Sequence, residues 1–119
     1  MKAIQKELDK LVQMLCIDHR CDICGCRAAE AVHHIIGRSN DLLRYDFSNL
    51  LPVCYECHRN IHDKGLEVSK YIHPDRWQYL QQIKNKSYKD VLTFDLGMSE
   101  AEFLKDCRST LRRVTSEKY

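Results

Sequence analysis

No apolar run in this chain approaches the roughly 20 residues that a membrane-crossing helix needs. The opening MKAIQKELDKLVQML sets acidic residues inside its apolar pattern, so the uninterrupted apolar core of a signal peptide is missing too. Charge of one sign is scarce: the net balance is +2, too small to name a partner by itself. Only 4 glycines and 2 prolines punctuate the 119 residues, and no internal repeat or low-complexity segment is visible. These absences argue against a membrane partner, a secreted chain and a repeat array. They predict one globular domain, cytoplasmic, with reduced thiols. A chain of this length builds only a modest core, which a metal staple would help to hold.

Cysteine and histidine, by contrast, are plentiful. Residues 21–62 hold five of the 7 cysteines and four of the 6 histidines. The odd cysteine total fits poorly with a fully paired disulfide framework. Cys21 with Cys24 and Cys54 with Cys57 form two Cys-x2-Cys pairs with 29 residues between them. Each pair can span one edge of a tetrahedron, so the four thiolates are expected to close a structural zinc. Gly25 suits the tight turn of such a knuckle, and Cys26 is an alternative to Cys24 if the turn is wider. A redox Cys-x2-Cys is disfavoured, because no strand-helix pattern around Cys21 would lower a thiol pKa. Lone Cys16 and Cys107 read as small buried hydrophobes.

The histidines are too many for the same ion. His58 and His62 are four apart in YECHRNIHDKG, which reads as a helix closed by Gly65, and so share a face and can share a second ion. The doublet His33 and His34 lies in EAVHHII, residues 30–36, whose composition predicts a short strand. Neighbours on a strand point to opposite sides, so one of the two is expected to bind metal while the other does something else.

The rest of the pattern is mostly helical. Ile4, Leu8, Leu11, Val12 and Leu15 predict an amphipathic helix over residues 1–18. RSNDLLRYDFSN reads as a loop, and Leu50 to Val53 as a second short strand with Pro52 near its end. His73-Pro74-Asp75 starts a helix running through Ile83. Residues 87–96 fit either a short helix or an extended connection. Ser99 and Glu102 form a capping-box pattern ahead of a stripe of Leu104, Cys107, Leu111 and Val114. That stripe is expected to be core rather than a dimer seam, which favours a monomer. Lys84 to Lys89 and RSTLRR, residues 108–113, are basic clusters that could meet nucleic acid or merely face solvent.

Taken together, His33-His34, then Asn49 fifteen residues after His34, then His58 nine further on and His62 four beyond that, resemble the His-Asn-His signature of the HNH endonucleases, the ββα-metal or His-Me finger family. The flanking cysteine pairs are similar to those of members buttressed by zinc, and HHIIGRSN with RYDFSNLLPVCYECH is similar to small phage and prophage members. The resemblance implies a small α+β fold with a ββα-metal core over residues 19–65, an N-terminal helix over 1–18 and a mainly helical extension over 66–119. It implies His34 as general base, His33, His58 and His62 as ligands of one catalytic divalent ion, and Asn49 pinning the loop that orients His34. It also implies hydrolysis of DNA phosphodiesters to 5′-phosphate and 3′-hydroxyl ends. Many members carry Asp where His33 stands; three imidazoles would accept zinc or nickel as well as magnesium or manganese. Arg38, ahead of Arg44 and Arg59, is the arginine expected to grip phosphate. The alternative keeps the fold without catalysis, as a zinc-stabilised nucleic-acid-binding module. A redox or metal-storage protein has only its cysteine count in favour.

Overall fold

The computed structural model describes residues 2–16 and 19–118. Met1, Ile17 and Asp18, which the expected first helix includes, and Tyr119 at the end of the extension lie outside the described residues. The fold is small and α+β: helix α1 (Ala3–Cys16), strands β1 (Ala31–His34) and β2 (Leu50–Val53), helix α2 (Tyr55–Asp63), helix α3 (Pro74–Lys84), a short helix α4 (Tyr88–Asp90), and the long helix α5 (Glu100–Lys118).

The apolar stripe of α1 buries Leu8, Val12 and Leu15, and its partner is the stripe of α5, where Leu104 and Leu111 are buried and Cys107 and Val114 packed alongside. Both ends of the chain therefore pack on each other, and the α5 stripe is covered from within. Arg108 and Arg112 of α5 pair with Glu7 of α1, which holds the Glu7 carboxyl below its ordinary value, Arg112 having the larger effect. At the start of α5 the capping box closes as expected: Ser99 N–H donates to the Glu102 carboxylate at 3.3 Å and Glu102 N–H to Ser99 Oγ at 3.2 Å. Residues 87–96, which fit either a short helix or an extended connection, are helical from Tyr88 to Leu96. α4 runs into a π-helical turn over Val91–Leu96, ended by Gly97 at φ 61°.

The two strands pair antiparallel with Ala31 opposite Val53, Val32 opposite Pro52, His33 opposite Leu51 and His34 opposite Leu50. β1 is shorter than the predicted 30–36 segment: the Ile35 amide still bonds to the Asn49 backbone carbonyl, but the Ile36 amide is taken by the Asn49 side chain and the ladder stops. Alternation along the ribbon divides the interior. Leu50 and Val32 face the α1–α5 core, whereas Leu51, Val53 and Ala31 face a second cluster built around Cys21, Cys54, Cys57 and Val68. A two-stranded ribbon alone would be marginal in water, so its two faces need these separate cores.

The 37–48 loop also contributes to the interior, since Leu43 is fully buried and Tyr45 nearly so. Replacing Leu111, 1% exposed at the α1–α5 contact, by alanine should cost about 2–5 kcal/mol. Urea unfolding followed by circular dichroism measures this; an unchanged midpoint would contradict the packing described.

Candidate metal centres and active site

The first knuckle is a tight turn. Cys21 N–H donates to the Arg27 carbonyl at 2.8 Å and Gly25 N–H to the Cys21 carbonyl at 2.9 Å, with Gly25 at φ 69°, a conformation open to glycine at little cost. The second knuckle is the start of α2. Cys54 is its N-cap, with Sγ accepting from Cys57 N–H at 3.4 Å, as Cys21 Sγ accepts from Ile23 N–H at 3.4 Å. The Sγ atoms of Cys21, Cys24, Cys54 and Cys57 lie within 4.8 Å of one another. Cys26 is outside this group and donates its thiol to the Cys24 carbonyl at 3.3 Å.

Local chemistry spreads the Cys21, Cys24 and Cys57 thiols apart in acidity. The backbone amides of Cys26 and Arg27 pull Cys24 down to about 6. Burial opposes ionisation of Cys21, but amides of Cys24, Cys54 and Ile23 outweigh it and leave the thiol lowered. Burial pushes Cys57 far up. Four sulfurs at this spacing, some already inclined to thiolate, fit a tetrahedral zinc, whose charge would complete their ionisation.

The imidazoles form a second group one helical face away. His33 projects from β1 toward α2, its ring centroid 5.4 Å from those of both His58 and His62, and the two helix rings are 4.7 Å apart. One nitrogen from each lies within 4.8 Å of the others, and His58 Nε2 stands 3.1 Å from His62 Nε2. Burial, then the neighbouring histidines, lowers His33 to about 4, and burial also lowers His58. His33 is thus neutral near pH 7, the form that ligates metal, and the donor set fits a divalent ion that accepts nitrogen.

His34 leaves the strand on the other side, yet it lines the same cleft of about 830 Å³ as His33, His58 and His62. Burial lowers its pKa, with the Arg38 charge adding to this, while a bond to the Arg44 backbone works the other way. Its Nε2 is buried without a hydrogen-bond partner. An unpaired buried nitrogen costs about 1–3 kcal/mol, a cost that a water or ligand atom reaching it would relieve.

Asn49, fully buried, ties the loop that follows His34. Its Oδ1 accepts from Ile36 N–H at 2.7 Å, and its Nδ2 donates to the carbonyls of Ile36 at 2.9 Å and Leu43 at 3.0 Å. Two residues that sequence reasoning missed complete the frame. Asp9 of α1 accepts from Arg38 at 3.1 Å and from Arg44 at 2.9 Å beside His34. Arg76 of α3 donates to the carbonyls of Ser48 at 2.6 Å and Leu50 at 2.8 Å, gripping the backbone on both sides of Asn49. Neither carries a local signal, since their partners are about 26 to 35 positions away. Arg38 is more than half exposed at the cleft, and Arg59 is turned to Asp63 on its own helix.

Residues 21–64 match the model of the HNH endonuclease family. That span covers a little over a third of the chain and contains both side-chain clusters, His34 and Asn49. No curated protein and no solved structure matches the chain. The match points to a metal-dependent family that acts on nucleic acid, and so to a nuclease or nucleic-acid-binding function.

Two separate clusters of metal-ligand side chains predict a two-step cobalt(II) titration. The thiolate site should produce sulfur-to-metal charge-transfer absorption that Cys54→Ser abolishes, while His58→Ala keeps that absorption and loses the second equivalent. Because burial keeps His33 unprotonated down to about 4, the second equivalent should persist at pH 6.5, the ordinary imidazole value, and dissociate between there and about pH 4. A single equivalent in the unsubstituted chain would contradict two sites.

Proposed function

We propose that this chain is an HNH-type endonuclease that hydrolyses DNA phosphodiesters, with a ββα-metal core formed by β1, β2 and α2. The observation that carries the proposal is one cleft shared by the three clustered imidazoles and by His34.

In this reading Cys21, Cys24, Cys54 and Cys57 hold a structural zinc, and His33, His58 and His62 hold the catalytic ion. Bound there, a divalent cation would supply positive charge to the phosphate and to the departing 3′ oxygen. His34 acts as general base. It is neutral near pH 7, one ring nitrogen is held by the Arg44 backbone, and the other takes the proton of the attacking water. The new bond joins the water oxygen to phosphorus and the P–O3′ bond breaks, leaving a 5′-phosphate and a 3′-hydroxyl whose proton comes from solvent. Asn49 keeps the 37–48 loop from drifting, and so keeps the Arg44 backbone against His34. Arg38, exposed at the cleft, exchanges Asp9 for a phosphate oxygen; a surface pair of this kind is held by only about 1 kcal/mol.

His34→Ala should reduce nicking of supercoiled plasmid by at least about 100-fold, the usual scale for a lost general base, while leaving metal content unchanged. The assay adds back magnesium, manganese, nickel or zinc to stripped protein in turn. Equal nicking by the variant would remove His34 from the chemistry. Two bound ions with no nicking under any condition would favour a binding module.

A further inference from the structure

Next to the cleft is a second hollow of about 550 Å³, bounded by Ile35, Ile36, Gly37, Ser39, Asn40 and the end of α3 at Lys84 and Asn85. Gly37 borders both spaces, so cleft and hollow meet across one exposed residue. We propose that this hollow carries the sugar–phosphate backbone of the DNA strand flanking the cut, with Lys84 and Lys86 as its phosphate contacts. The proposal rests on the nuclease reading and extends it to α3, beyond the segment that matches the family.

Charge supports that occupant. Lys84 and Lys86 are exposed, and neither forms an ion pair among the described residues; Lys84 Nζ has only a 3.3 Å contact to Gln81. In the other basic cluster, Arg108 and Arg112 are tied to Glu7. A helix C-terminus carries partial negative charge that would repel phosphate, but here Asn40 Nδ2 donates to the Lys84 carbonyl at 3.0 Å, and two full positive charges outweigh what remains. That same bond fixes α3 to the loop, so the lysines keep their position relative to the cleft.

Gly37 supplies the second observation. Its φ is not in the left-handed region, and a Cβ there would meet nothing within 4 Å. Neither backbone strain nor packing inside the protein asks for glycine. Close approach of a ligand backbone over the ridge between the two spaces would.

The test measures binding of a short DNA duplex by fluorescence anisotropy between about 50 and 200 mM salt, using full-length His34→Ala protein to prevent cutting. Each lost phosphate contact lowers the log–log salt slope by about 0.9, so Lys84→Gln with Lys86→Gln should reduce it by about 1.8. Lys105→Gln on α5 should leave it unchanged. Gly37→Ala should keep the melting temperature and weaken binding several-fold. An unaltered slope and affinity in the double lysine variant would overturn the proposal alone. Absence of any salt-dependent binding by the parent protein would overturn the nucleic-acid reading with it.

Discussion

The three hydrogen bonds of the Asn49 side chain hold the centre of this molecule together. They close a loop of a dozen residues onto the ends of both strands, and Asn49 itself is fully withdrawn from water. No apolar residue could replace them without stranding the Ile36 amide and the Ile36 and Leu43 carbonyls, each at a cost of about 1–3 kcal/mol. Much depends on this closure. Leu43 and Tyr45 reach their places in the interior through it, the Arg44 backbone meets His34, and β2 starts in register with β1. Arg76 reinforces the same point from α3 by binding the carbonyls on either side.

From that fixed ribbon the roles of adjacent histidines follow from strand geometry. His33 shares its side with Leu51 and faces the thiol-bearing cluster and α2; His34 shares its side with Leu50 and faces α1. One residue of register shift would exchange them. The short helix α2 serves both clusters, with Cys54 and Cys57 at its first turn and His58 and His62 one turn apart beyond them. A zinc at the thiols would therefore hold the end of the element that presents the imidazoles, linking stability to site geometry.

Much of this was legible in the sequence because the relevant spacing is local. The Cys-x2-Cys pairs, the i, i+4 histidines, the stripes of α1 and α5 and the Ser99–Glu102 cap depend on residues within a turn or two of each other, and all appear near their expected places. β1 is shorter than predicted because the Ile36 amide bonds to an asparagine side chain, a tertiary choice that composition does not encode. The π-helical turn at Val91–Leu96 likewise has no periodic signature. Asp9 and Arg76 escaped notice for another reason. Each sits on a helix where an exposed charge is ordinary, and only folding brings Asp9 to Arg38 and Arg44, and Arg76 to the strand carbonyls. The thiol site could be read from spacing alone, whereas choosing between Cys24 and Cys26 required the turn itself.

The most direct test of the hydrolytic reading is cleavage of a DNA duplex in water enriched in oxygen-18, with the product ends identified by mass spectrometry. The account predicts one labelled oxygen on the 5′-phosphate and none on the 3′-hydroxyl, since water attacks phosphorus and the 3′ oxygen departs with its original atom. Label at the 3′ end, a 3′-phosphate product, or intact DNA beside protein with both ions bound would contradict it.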